Sequence, residues 1–384
     1  MILSLMELFI ISKYYTFTTA GIISVIIGTN LHETIEFITM YFSWSYLIFI
    51  FVLALIIYLL NYISRKVKLN NKLVILFLPY FCLYSLFYVI IPGKNLTECL
   101  SFTRLIAPVE QAVEDAIAFR EIYTNMQNNV QIVDKGRDIP NIVFILGEST
   151  NRNHMHLYGY YLPNTPNLDA LNEKGEISVF RDVVSPHSTT IAVLSKLFTF
   201  CNRESDQEWY HYNNLIDVMN AAGYKTHWLS NQETSGVWGN VAQIYAAHSD
   251  VSAFTRIRDS REDYGIVDGE LFPLIDDAIA NRSEDKNFYV VHLMGGHGLY
   301  YNRFPYSFSK FSKDDINLPI TDGKKEIVAQ YDNALYYNDY IVSSIIDKFR
   351  DSETLVIYVP DHGEAVYDEG EDMSGHIEEI LHII

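Results

Sequence analysis

Two uncharged apolar runs, SYLIFIFVLALIIYLLNYI and LVILFLPYFCLYSLFYVIIP, constrain this 384-residue chain more than any other feature. Each has the ~20-residue length an α-helix needs to cross a hydrocarbon core of about 30 Å. A buried core helix is the other use of such a run, but two in succession, separated only by SRKVKLNNK, point to a membrane hairpin. The connecting loop carries Arg65, Lys66, Lys68 and Lys72, and basic loops stay on the cytoplasmic side. Residue 93 onward therefore emerges on the outer side. A shorter run, TFTTAGIISVIIGTN, reads as a third span over about 14–29, which sets GTNLHETIEF on the outer face.

Charge divides the chain in the same place. Residues 1–92 hold five basic and three acidic side chains, so the rest of the chain carries −21 against a formal total of −19. So acidic a chain does not track a phosphate backbone, and no nucleic-acid partner is expected. Three cysteines exclude a disulfide-dense scaffold and a four-cysteine zinc module. The expected organisation is a transmembrane helical anchor over 1–92, an amphipathic connector over 93–138 and a globular domain over 139–384. The stretch DKGRDIPN supplies the turn-rich boundary before that domain.

Four apolar runs of the globular part read as buried strands: NIVFIL, YKTHWLS, FYVVHLM and TLVIYVP. Helix-compatible stretches such as LIDVMNAAG and EIVAQYDNALYYNDYIVSSIIDKF lie between them. Alternation of this kind predicts an α/β domain with a largely parallel sheet covered on both faces. In such sheets the chemistry gathers beyond the carboxyl ends of the strands. Glu148 follows the first run, His297 the third, and Asp361-His362 the fourth. Any one of these is an ordinary cap or surface group. Three at equivalent strand ends point to a divalent metal, and mixed Asp, Glu and His ligands suit zinc. The segment SPHSTTIAVLSKLFTF adds hydroxyls at Ser188, Thr189 and Thr190 ahead of a helical run. Taken alone it is a helix cap. Beside a metal, any of the three is a candidate nucleophile.

The stretches NIVFILGESTNRNHMHLYGYYLPNTPNLDAL, SPHSTT…FTF, VVHLMGGHGLYYNRFP, YDNALYYND and YVPDHGEAVYD occur in this order. Together they resemble the membrane phosphoethanolamine transferases of Gram-negative bacteria. These belong to the alkaline phosphatase/sulfatase superfamily and modify lipid A or the lipooligosaccharide core. The resemblance implies an alkaline-phosphatase-like α/β/α sandwich joined to a transmembrane helical region, in the inner membrane with its catalytic domain in the periplasm. It implies one tightly held zinc ion, with a second left open, on Glu148, Thr190, Asp361 and His362. Thr190 is then the nucleophile, ahead of Thr189 and Ser188, and His297 and His376 meet the phosphate group or a second zinc. Thr29, Asn30, Glu33 and Thr34 match the outer-face loop that helps hold the lipid head group. The implied reaction is ping-pong, taking phosphoethanolamine from phosphatidylethanolamine to an envelope acceptor through a phospho-threonine.

Departures accompany the resemblance. Five membrane helices are usual in that family, so the amino end looks shortened, and the chain stops at HIEEILHII where relatives continue. Some members brace the outer domain with disulfides, whereas here only Cys99 and Cys201 lie outside the membrane, and their pairing stays open. A sulfatase proper would need a C/S-x-P/A-x-R sequence, which is absent. The alternatives are a phosphoglycerol transferase of the same superfamily and an inactive truncated remnant. His154, His156 and His187 read as supporting or surface groups. Trp228, Asn231 and Trp238 line a loop open to acceptor choice.

Overall fold

The computed structural model describes residues 139–233, 241–256, 266–283, 285–368 and 374–375, with isolated positions between 10 and 132. Five parallel strands form the centre: β1 (Asn141–Gly147), β2 (Lys225–Glu233), β3 (Val251–Arg256), β4 (Asn287–His292) and β5 (Thr354–Pro360). Their order is β3-β2-β4-β1-β5, so β1 sits between β4 and β5. A parallel sheet needs cover on both faces, which is why β1 from Ile142 to Leu146 and β4 from Phe288 to Val291 are apolar at consecutive positions rather than at alternate ones. Val143, Ile145, Tyr289 and Val291 are buried on one side of the pleat, and Phe144, Leu146, Phe288 and Val290 on the other.

The second of those faces is covered by α2 (Thr190–Leu197), α3 (Leu215–Ala221) and α4 (Val241–His248), which follow α1 (Pro166–Glu173) in the chain. Leu194, Phe198, Ile216 and Tyr245 pack there with Trp228 and Phe288 in one cluster. Phe198 stacks on Tyr245 at 5.0 Å and meets Phe144 edge-on at 5.4 Å. Each such side chain contributes about 1.5–3 kcal/mol by leaving water. At the sheet edge Leu355 and Ile357, which pair with Ile142 and Phe144 of β1, stay exposed on this face.

The remaining helices are α5 (Leu271–Ala280) and the long α6 (Asp322–Lys348). Val328, Tyr331, Leu335, Val342 and Ile345 follow helical spacing along the buried side of α6. The same helix buries polar groups that act as staples for loops. Asn333 Oδ1 accepts the backbone N–H groups of Lys310 and Phe311, at 2.7 and 2.8 Å. Asp339 accepts those of Asn167 and Leu168 at the start of α1, at 3.0 and 2.9 Å.

All four predicted strands are present, within about three residues at their ends. β3 is a fifth that VSAFTR does not announce, being short and mixed in polarity. A two-stranded antiparallel pair, β6 (Ala365–Val366) and β7 (Ser374–Gly375), follows β5. Cys201 is a buried free thiol that accepts from Lys196 Nζ at 3.2 Å, so it is not in a disulfide; Cys99 lies outside the described residues.

In the amino-terminal part the described positions of the first apolar run are helical. Trp44, Leu47, Ile48, Phe51, Val52, Leu55, Tyr58, Leu59 and Tyr62 are all exposed. Among the described residues no helix is long and apolar enough to cross a membrane. The second run, connector residues 93–104 and those past 117 except 130–132, and Thr29, Asn30 and Glu33 lie outside the described residues.

Candidate active site

β1, β4 and β5 deliver their polar loops to one point. β1 ends in Gly147, and Glu148 leaves the sheet just beyond it with only 1% of its surface exposed. Gly147 has no room for a side chain, because a Cβ there would lie 2.9 Å from the Tyr358 ring. β5 ends in Pro360, and Asp361 and His362 follow, both buried. The two loops are tied by Thr150 N to His362 O at 3.0 Å and by Ser149 N to Asp361 Oδ1 at 3.1 Å. After β4, Gly295 turns through φ +48°, and a Cβ on it would meet Glu148 O at 2.5 Å. That close approach needs glycine for both space and backbone angle.

Four oxygen and nitrogen atoms converge in this place. His362 Nε2 is 3.3 Å from Glu148 Oε1, 3.3 Å from Asp361 Oδ2 and 3.3 Å from Thr190 Oγ1. Thr190 Oγ1 is in turn 3.2 and 3.4 Å from the two Glu148 oxygens. Thr190 stands at the first turn of α2, where the positive end of the helix dipole favours developing negative charge. Thr189, the residue before it, makes no capping bond with its side chain. The Ser188 hydroxyl is buried without a hydrogen-bond partner.

The proton positions argue for a cation. His362 Nδ1 lies 2.8 Å from Gly363 O, which can only accept, so Nδ1 carries the hydrogen. A neutral ring would then point a lone pair from Nε2 at two carboxylates. Asp361 Oδ2 is buried and accepts no hydrogen bond of proper geometry, although His362 Nε2 lies 3.3 Å away. Lone pairs facing lone pairs in a buried site call for a positive charge between them. Without one, burial and the neighbouring Glu148 carboxylate push the Asp361 carboxyl up. Burial opposes a charge on His362, but Asp361 and Glu148 outweigh it and raise that ring's pKa. The ligand atoms of Glu148, Asp361 and His362 all lie within 4.8 Å of one another. Two carboxylates, an imidazole and a hydroxyl form a donor set that fits zinc.

His297 is half-buried on the same loop as Gly295. The loop is held from both sides. Asp268 accepts from the backbone of Met294 and Gly295 at 2.8 and 3.0 Å, and buried Arg303 donates to the carbonyls of His297 and Gly298 at 2.8 and 2.6 Å. Asn231 is buried and donates to Asp268 at 2.7 Å. Trp228 belongs to the core, and Trp238 and His376 lie outside the described residues. His292, at the end of β4, is buried and held near pKa 4 by that burial in spite of Glu148, so it is neutral.

His154 is more than a surface or supporting group. It lies buried between Asp332, at 3.2 Å from Nδ1, and Asp368, at 2.7 Å from Nε2. Burial works against its charge, yet the bonds to both carboxylates push it up to about 9. Its carboxylate partners respond differently. Burial raises Asp332, whereas the His154 bond holds Asp368 down in spite of burial. The deeper Asp332 is hence the costlier charge to keep. A folded-state pKa raised above the ordinary 6.5 gives stability that is complete below that value and lost as pH climbs through 9. His154→Ala should cost about 3–5 kcal/mol at pH 6. Thermal unfolding should show the gap to wild type narrowing at pH 9.5; an unchanged gap would mean that the ring is uncharged in the folded chain.

Three buried metal-type ligands thus stand beside a threonine hydroxyl at the carboxyl ends of a parallel sheet. The sulfatase family model matches residues 140–382, and the chain belongs to that family. Within it the chain is similar to phosphoethanolamine transferase EptC of Escherichia coli K12, 26% identical over 381 residues, covering 91% of this chain and 64% of the relative. Phosphoethanolamine transferase CptA of Salmonella typhimurium is 28% identical over 382 residues, with the same coverages of 91% and 64%. The chain thus spans 64% of the length of these curated relatives. The zinc complex of the C-terminal periplasmic domain of Escherichia coli EptC superposes with TM-score 0.60 at 30% identity, covering 64% of this chain and 70% of that one. The integral membrane phosphoethanolamine transferase EptA of Neisseria meningitidis shares the fold, with TM-score 0.64 at 22% identity over 98% of this chain and 72% of that one.

Proposed function

We propose that this chain transfers phosphoethanolamine, with zinc, from phosphatidylethanolamine to lipid A or the lipooligosaccharide core, through a phospho-threonine at Thr190. The observation that carries the reading is the placement of Thr190 Oγ1 within 3.4 Å of Glu148 and His362, two of the three metal-type ligands. Glu148, Asp361, His362 and Thr190 would hold the zinc ion, which would supply positive charge to acidify the hydroxyl and to balance the phosphoryl oxygens. The similarity to transferases named for phosphoethanolamine, one of them solved with zinc, supports the group and the metal.

Thr190 Oγ attacks phosphorus, the bond from phosphorus to the diacylglycerol oxygen breaks, and that oxygen leaves with a proton. An acceptor hydroxyl or phosphate oxygen then attacks the same phosphorus, the bond to Oγ breaks, and Thr190 regains a proton. His297, with His376, steadies the charge on the leaving and entering oxygens. Residues 1–92 serve as the membrane anchor, 93–138 as the connector and 139–384 as the periplasmic catalytic domain. The exposed apolar positions from Trp44 to Tyr62 support contact with lipid.

Mass spectrometry of the Ser188–Thr190 peptide tests this, on full chain extracted from membranes containing phosphatidylethanolamine. A phosphoethanolamine adduct on Thr190, absent from Glu148→Ala, is the expected result. A glycerol phosphate adduct would instead identify the donor as a phosphoglycerol lipid.

A further inference from the structure

We propose that Gln232 is a positioning residue for Glu148, fixing which edge of that carboxylate faces the metal. The inference rests on the reading of Glu148 as a ligand.

Gln232 belongs to β2, which does not neighbour β1; β4 lies between them. At a strand spacing of about 4.8 Å, its main chain is roughly 10 Å from that of β1. A regular strand would not direct the side chain along that line. β2 is irregular there: its pairing with β3 slips between Ser230 and Glu233. Such bulges re-aim one side chain and recur beside active sites. The bulge is held by a local bond, Gln232 N to Ser230 Oγ at 3.0 Å, with Ser230 Oγ 3.3 Å from Nδ1 of neutral His292.

The re-aimed amide crosses β4 and reaches β1's ligand. Gln232 Nε2 is 3.3 Å from Leu293 O and 3.3 Å from Glu148 Oε2. An amide nitrogen has two hydrogens, one for each acceptor. Leu293 O anchors the amide, and the second hydrogen goes to Oε2. The Ser149 hydroxyl donates to Oε1 at 2.8 Å. Besides the shared Thr190 hydroxyl, each Glu148 oxygen therefore has a neutral donor of its own, and the two together set the rotation of the carboxylate. The neutrality is significant. A lysine or arginine at 232 would hold Oε2 equally well, but would cancel the negative charge that attracts the cation.

The test is zinc affinity, read by competition with a chromogenic chelator on the purified full chain. Gln232→Met keeps the length and bulk but has no donor. Gln232→Asn keeps the amide and withdraws it by one methylene. Partners of this kind typically change metal affinity by roughly 10–100-fold, and both variants should weaken zinc by that factor. The melting temperature of the metal-free form should stay at the wild-type value, because the tether acts on the ligand rather than on the core. Wild-type zinc affinity in either folded variant overturns the proposal, whatever the activity. Failure of the site reading looks different: Glu148→Ala would then bind zinc as wild type does.

Discussion

Thr190→Ala should lower transfer by about 10⁴–10⁶-fold, the scale of losing a covalent nucleophile, while the chain stays folded and keeps zinc. The reasons are local. Removing Oγ1 and the methyl at the half-buried start of α2 leaves Glu148, Asp361 and His362, which make a three-ligand set without it. The nearby Ser149 hydroxyl is already committed to Glu148 Oε1, at 2.8 Å. Thr189 makes no capping bond with its side chain, and Ser188 Oγ is buried, away from an incoming lipid. Thr190→Ser, which keeps the hydroxyl at the same turn, should still form the adduct. Single-turnover assays on metal-loaded protein, with metal analysis beside them, decide the point. Appreciable turnover by the alanine variant would move the nucleophile to a neighbour.

His362→Ala should abolish zinc retention, with a loss beyond the roughly 10–100-fold expected for an outer partner. It should also destabilise the metal-free chain. In wild type the imidazole is the positive-capable group between two buried carboxylates, 3.3 Å from each. Removing it leaves Glu148 and Asp361 facing one another, a defect that costs about 3–5 kcal/mol in comparable buried pairs. Thermal unfolding in the presence of a chelator isolates this part, and metal analysis the other. A variant that melts like wild type without metal would show that the carboxylate pair is protonated rather than repelling.

Sequence reasoning reaches Glu148, Asp361 and His362 because they closely follow apolar runs; for the nucleophile, pattern narrows the choice only to Ser188, Thr189 and Thr190, and Thr190 is picked out by the family resemblance. It reaches the parallel sheet for the same reason, since the middles of β1 and β4 are apolar at consecutive positions. It does not reach Gln232. The alternation of β2 gives no sign that the strand slips between Ser230 and Glu233, and the slip alone turns the amide toward Glu148. Nor does it weigh His154, whose partners lie 178 and 214 residues further along the chain. Pairing at that distance is a property of the fold. β3 escapes because six residues of mixed polarity carry too weak a period.

Among the described residues β5 forms one margin of the sheet. β5 carries Asp361 and His362 at its end, and it leaves Leu355 and Ile357 open to solvent. An ion shared between those ligands and Glu148 would fasten β5 to β1. A copy that matured in metal-poor surroundings would lack that fastening, and β5 would open more often. An apolar strand that opens is a template for aggregation and an entry for proteases. Scarcity of metal would then lower the number of molecules as well as the rate of each one.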